Sequence, residues 1–369
     1  MQSPAPRKIA CIEGLRGILA LWVLFGHVLA AAGLGGEWRG PFAVIAAGGH
    51  AVHVFIIISG FVIFYLIDTA RETYGRFIWR RVLRLYPAYL VCLAAAAVVL
   101  QLEVMTYANS PWPHSLNANR VMIAASGIAH FPEHLVLHLF MLHSLVPDSI
   151  LPHSNYAILG TAWSLSLEWQ FYVLAPPLFA CLTRGPYTAL AAIVIACAAH
   201  FLIAGQEGML PRHIPMFALG IASYFFWRHW SSSVPIWPLL VPVGTAIAYL
   251  LTHTPAIVIW TAVFLAAIQP TSLFARPTLA TLESPPLQAA GRWSYSVYLS
   301  HPVILVLAMA FLDGVGAVQL GQWGFFGLLL ALTVVTTLAA SALLYRFVEA
   351  PVIAYGRTAR SVTPPRPAE

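Results

Sequence analysis

Charge is what this sequence has least of. Only 9% of its 369 residues are Asp, Glu, Lys or Arg, against about 25% in a soluble globular protein, and that shortage excludes an ordinary water-soluble enzyme. Cysteine is equally sparse. Cys11, Cys92, Cys181 and Cys197 stand alone, with no C-x-x-C pair, which excludes a disulfide framework or a cysteine zinc site and leaves them as small buried hydrophobes. There is no phosphate-binding Walker loop, no G-x-G-x-x-G, no H-E-x-x-H, no sustained heptad and no repeat of 20–50 residues. No metal is expected. The excess of 19 basic over 13 acidic residues sits in short clusters between apolar runs, so nucleic acid is not an expected partner.

What the chain has is hydrocarbon. Hydrophobic residues make up 60% of it, the mean hydropathy is +0.79, and a membrane helix needs about 20 mostly apolar residues. Ten stretches qualify or nearly do, near 14–33, 42–66, 82–102, 160–182, 187–204, 211–227, 235–251, 256–274, 293–312 and 325–347. The expected fold is all-α and polytopic, a single bundle of about ten transmembrane helices with no appended soluble domain. It occupies residues 9–353 and is followed by a Pro-rich, disordered cytoplasmic tail over 354–369. The long connection 103–159 carries one further apolar run, Leu135 to Leu145, too short to span, which reads as an interfacial or re-entrant helix.

Lys and Arg flanking these spans divide 16 to 3 between the two sides. The positive-inside rule then puts both termini in the cytoplasm of a cell (inner) membrane. A cleaved secretory signal is the alternative reading of Arg7-Lys8 and the apolar run after it, but Glu13 and Arg16 interrupt the approach to that run.

With so few charges, each ionisable residue inside a span is a candidate for function. His27 follows Arg16 by eleven residues, about 16 Å up the first helix and three turns round to the same face. A packing histidine is the commoner explanation of such a position on its own. His53 lies well inside the second span and His301 at a depth similar to that of His27, with packing again the simpler reading of both. Glu168, in Trp163-Ser164-Leu165-Ser166-Leu167-Glu168, must be neutral, paired or turned to a wet cavity, and holding a neighbouring helix explains it as well as chemistry does. Arg76, Arg80, Arg81 and Arg84 precede the third span. They read either as an anchor to lipid phosphates or as a phosphate-binding fork in which Arg81 and Arg84 share a helix face. His130, His134 and His138, spaced by four with His143 following, fit an amphipathic interfacial helix better than a metal site.

Five stretches in order give a more specific signal. Glu13-Gly14-Leu15-Arg16-Gly17 followed by His27, His53-Val54-Phe55 through Ser59-Gly60-Phe61, Arg81-Val82-Leu83-Arg84, Trp163-Ser164-Leu165 through Glu168 and Tyr172, and Ser294-Tyr295 through Tyr298-Leu299-Ser300-His301, with a closing Glu349-Ala350-Pro351, together resemble the acyltransferase-3 family of multi-pass membrane O-acyltransferases. Glu13 stands where the family usually has Asp, and Ile57 where a second Phe is common.

The resemblance implies transfer of an acyl group, commonly acetyl, from cytosolic acyl-CoA as co-substrate, with no permanently bound cofactor. The acceptor would be a hydroxyl of a carbohydrate or a related cell-envelope or secondary-metabolite molecule. His27 would be the base, with Arg16 and Glu168 beside it, and Arg80, Arg81 and Arg84 would hold the CoA phosphates. Tyr172, Trp163, His53, Tyr298, His301 and Glu349 would line the acceptor side or serve structure. Membrane lipid surrounds such a domain, and a two-step relay would need a separate extracytoplasmic partner protein. The competing class is a transporter or flippase for a lipid-linked or glycan substrate, whose inverted repeat or paired broken helices the sequence does not display.

Overall fold

The computed structural model describes residues 10–35, 38, 41–112, 114–203, 205, 207–229, 244–250 and 253–358. Every regular element among them is helical. In chain order these are α1 (Ala10–Ala31), α2 (Pro41–Ala46), α3 (Gly49–Ala70), α4 (Tyr74–Ala108), α5 (Ser115–Ala129), α6 (Phe131–Leu139), α7 (Trp163–Arg184), α8 (Pro186–Leu202), α9 (Leu210–His229), α10 (Pro255–Ile268), α11 (Ala275–Leu282), α12 (Pro285–Gly314), α13 (Gly321–Leu344) and α14 (Ala350–Thr358). Among the described residues six helical stretches are long and apolar enough to cross a membrane: α1, α3, α4, Gly160–Arg184, α12 and Ala317–Gly356. Apolar α8 and α10 are shorter, at 17 and 14 residues. Most of the expected span 235–251 lies outside the described residues, with helix at 244–250.

The most extensive helix contact is α1 on α12, and glycine permits it. A Cβ on Gly17 would fall 2.8 Å from the Gly291 nitrogen and one on Gly291 2.0 Å from the Glu13 carbonyl oxygen, while one on Gly14 would fall 1.8 Å from the Leu282 carbonyl oxygen, which ends the neighbouring α11. Small residues at such crossings let backbones approach to contact distance, as in other membrane helix pairs. The two helices run parallel, since Gly17 meets Gly291 near one end and His27 meets His301 further along. A second parallel pair, α3 with α9, crosses at Gly60 and Gly220, where a Cβ on Gly220 would lie 2.1 Å from the Ile57 carbonyl oxygen.

Contacts along these pairs sort the directions. Helices α1, α4 and α12 run one way and α3, α7 and α9 the other, so the ends bearing Arg16, Arg81, Arg84, Arg184, Arg228 and Arg292 gather at one end of the assembly. Arg212 opens α9 at the opposite end.

Several boundaries depart from expectation for local reasons. The expected span 42–66 divides into α2 and α3, because the chain at Ala46 to Gly48 packs against the α1 backbone at Val23 and Gly26. Helix α4 starts eight residues before the expected span, so the arginine cluster is helical and Arg81 and Arg84 do share a face. Connection 103–159 holds α5, laid along α4, as well as α6. After α13 a π turn, Tyr345–Glu349, absorbs Pro351, whose nitrogen has no hydrogen to give the Phe347 carbonyl, and leaves Glu349 buried. Helix α14 extends to Thr358, five residues into the segment expected as tail, and 359–369 lie outside the described residues.

The Gly220 contact gives a direct test. Gly220→Ala should lower the thermal midpoint in detergent, since forcing apart a packed crossing costs about 1–3 kcal/mol. Gly75→Ala, in α4 with nothing within 4 Å, should leave it unchanged or raise it, by up to about 1 kcal/mol of helix propensity.

Candidate active site

Helices α1, α3, α4, α7, α9 and α12 enclose a cavity of about 150 Å³ whose wall includes Arg16, Ser59, Arg81, Arg84, Glu168, Tyr172 and Tyr298 among apolar side chains. The sequence therefore disperses over 280 residues what the fold brings to one place. Each carboxylate here is committed. Glu168 accepts hydrogen bonds on Oε1 from Ser59 Oγ at 2.8 Å and from the Tyr172 hydroxyl. Glu349 accepts from Arg84 Nη1 at 2.8 Å on one oxygen and from Ser296 Oγ on the other.

Once these pairs are made, two of the three arginines have no ion-pair partner among the described residues. Arg84 is tied to Glu349 and lies over the Tyr295 ring at 5.5 Å. Arg81 lies over the Phe77 and Tyr172 rings at 5.5 and 5.6 Å, and its Nε is buried without an acceptor. Arg16 makes no hydrogen bond or ion pair among the described residues, although Glu168 is within electrostatic range. A low-dielectric cavity with two uncommitted guanidiniums is a site for an anion or a developing oxyanion.

His27 does not line this cavity. Its Nδ1 is 2.8 Å from Nε2 of His301, with ring centroids 5.0 Å apart, and His301 Nδ1 is 3.0 Å from the Val297 carbonyl oxygen. Tyr298 connects the pair to the cavity: its ring packs on His301 with centroids 6.1 Å apart, and its hydroxyl is bonded to that of Ser164 at 2.8 Å.

Residues 9–345 match the family model described as an acyltransferase domain. The chain belongs to the acyltransferase-3 family. No curated protein and no solved structure is matched. Membership and the six apolar helices make this a membrane acyltransferase, and its opening motif separates into two tasks. Gly14 and Gly17 seat α1 on its neighbours, while Arg16 between them faces the cavity and His27 lies further along.

Other expected site residues of the acyltransferase lie elsewhere. Arg80 is paired with Glu72 and is absent from the cavity wall. Trp163 and His53 both pack on His213, with ring centroids 5.7 and 5.9 Å away, at the end opposite the arginines. Ser59, Ser296 and Tyr295 stood in the quoted motifs without a site role, their hydroxyls being inconspicuous in apolar runs. It also treated Arg120 only as an orientation charge. Arg120 occupies the space left by Gly160, where a Cβ would fall 2.5 Å from Nη1, and it stands within electrostatic range of both His27 and His301.

The histidines of the connection, expected on an amphipathic interfacial helix, turn mostly to the protein side of it. His134, His138 and His143 are fully buried, and the His138 and His143 rings stack 4.0 Å apart at 9°. Among the described residues no group of three or more His, Cys, Asp or Glu is placed to hold a metal. Burial pushes His138 down to about 4 and His143 well below the usual imidazole range, so both are neutral near pH 7.

Two predictions follow from these placements. The unfolded chain binds protons on these histidines below about pH 6.5 while the folded chain does not, so thermal stability should fall between pH 6.5 and 4. His138→Leu/His143→Leu should flatten that slope. Arg84→Leu leaves the Glu349 carboxylate buried with a lost partner and should destabilise by about 3–5 kcal/mol, read as a lowered midpoint in detergent, and Arg84→Leu/Glu349→Leu should recover part of it.

Proposed function

We propose that the chain is an O-acyltransferase that takes an acyl group, acetyl in the first instance, from acyl-CoA and delivers it to a hydroxyl of a carbohydrate or related envelope or secondary-metabolite acceptor. The observation that carries this reading is the pair of guanidiniums, Arg16 and Arg81, which face one cavity and form no ion pair among the described residues. Guanidinium forks match phosphate oxygens, and both stand at the basic end of the helices. By the positive-inside rule that end is cytoplasmic, which places both termini there, in a cell-membrane protein of about ten spans.

About 150 Å³ is less than the 300–1,000 Å³ of pockets that bury a whole drug-sized ligand. The cavity suits a thioester arm, with the nucleotide left outside at the basic end. In this reading Arg81 and Arg16 hold donor phosphate or carbonyl oxygens, and Arg84, fixed by Glu349, shapes the wall.

A hydroxyl is a weak nucleophile near neutral pH and needs a base held within reach. His27 serves as that base. It removes the acceptor proton as the oxygen attacks the thioester carbonyl, and it returns that proton to the departing CoA sulfur. Glu168, with Tyr172 and Ser59 bonded to it, presents a polar wall along which an acceptor hydroxyl can be guided.

Membranes containing His27→Ala should hold normal amounts of protein and transfer no labelled acetyl from acetyl-CoA. Arg81→Ala should raise the donor KM about tenfold or more, as loss of one charge-assisted bond of 1.5–3 kcal/mol implies, and leave the acceptor KM unaltered. Transfer retained by His27→Ala, or an unchanged donor KM in Arg81→Ala, would overturn these assignments.

A further inference from the structure

We infer that His301 is the positioning residue of the base, holding His27 in the one tautomer that leaves its Nε2 free to take a proton. This rests on the acyl-transfer reading above and specifies how its base is prepared.

The hydrogens available to the two rings decide the tautomer. A carbonyl oxygen only accepts, so the 3.0 Å contact between His301 Nδ1 and the Val297 oxygen puts a hydrogen on Nδ1. A neutral imidazole carries one N–H, which leaves His301 Nε2 with a lone pair. The 2.8 Å contact with His27 Nδ1 is then a hydrogen bond only if His27 donates, and His27 Nε2 becomes the unprotonated nitrogen.

The opposite arrangement needs a doubly protonated His301. That ring is fully buried, and neither histidine is hydrogen-bonded to a carboxylate among the described residues. A charge there lacks the counter-ion that buried charges require.

Local sequence supplies the anchor. Pro302 has no N–H to give the Tyr298 carbonyl four residues back, so that oxygen is left near His301 beside the Val297 oxygen. His301 Nδ1–H therefore sits against a doubly acceptor-rich stretch of α12, and the ring cannot turn over without losing this bond in an apolar setting.

During transfer the balance closes on one proton. It passes from the acceptor hydroxyl to His27 Nε2 as the new O–C bond forms, and then to the CoA sulfur as the C–S bond breaks. While His27 carries it, the Nδ1–H bond to His301 becomes charge-assisted and stronger. His301 does here with a neutral ring what the carboxylate does in a Ser-His-Asp triad.

The test uses full-length protein in membranes with labelled acetyl-CoA and three substitutions. His301→Leu should lower kcat by about 100-fold or more, as expected for a mis-set general base, with the donor KM within about twofold. His301→Gln, whose side-chain oxygen reaches the place of Nε2, should recover at least tenfold of that loss at equal membrane abundance. His301→Asn, whose oxygen falls short, should not. Full activity in His301→Leu, or equal activity of Gln and Asn variants, would overturn the inference, and the Gln/Asn comparison still decides if the Leu variant does not accumulate. Were His27→Ala inactive while His301→Leu stayed active, only this inference would fall. Were His27→Ala active, the base assignment would fall with it.

Discussion

The site depends on how closely α1 can lie against α12. Gly17 and Gly291 bring the two backbones within contact of one another at the arginine-rich end, beside Gly14, which meets the Leu282 carbonyl at the end of α11, and a parallel course then carries His27 to His301. A side chain at any of those glycines would separate the helices where Arg16 leaves α1 for the cavity. Without water to drive helix association in a bilayer, such packing is itself the adhesive. The motif around Arg16 is therefore as much a statement about separation between helices as about chemistry.

Charge is distributed around that contact with little surplus. Glu168 in the cavity wall and Glu349 behind Arg84 are each held by a hydroxyl, Ser59 and Tyr172 for Glu168 and Ser296 for Glu349, with Arg84 as the second partner of Glu349. Of the cations in the cavity wall, Arg16 and Arg81 form no ion pair among the described residues and keep capacity for a ligand. The histidine pair adds a proton site without adding a formal charge at rest, a useful economy where ions are expensive to bury. Tyr298, in contact with both His301 and the cavity, makes the two regions one neighbourhood.

Much of this was legible in the sequence because helices repeat. The step of eleven residues from Arg16 to His27 is a face relation that needs only 3.6 residues per turn, and the family motifs identified Arg81, Glu168, Tyr172 and His301. Partnerships between distant segments were not legible. Nothing in local pattern says that Arg84 meets Glu349, 265 residues on, so the division between a tethered Arg84 and an uncommitted Arg81 required the fold. Periodicity likewise placed His134 and His138 on one face without saying that the face meets protein instead of water. The split of the expected span 42–66 came from α1 packing on Gly48, a tertiary cause with no local signature.

The central claim is that an acyl-CoA thioester reaches from Arg16 and Arg81 to His27 Nε2. Cryo-electron microscopy of the protein bound to a non-transferable acyl-CoA analogue tests it directly. The account predicts phosphate density against the Arg81 guanidinium and the acyl carbonyl beside His27 Nε2, with His27 Nδ1 still facing His301. Analogue density elsewhere, or an acyl group remote from His27, would contradict it.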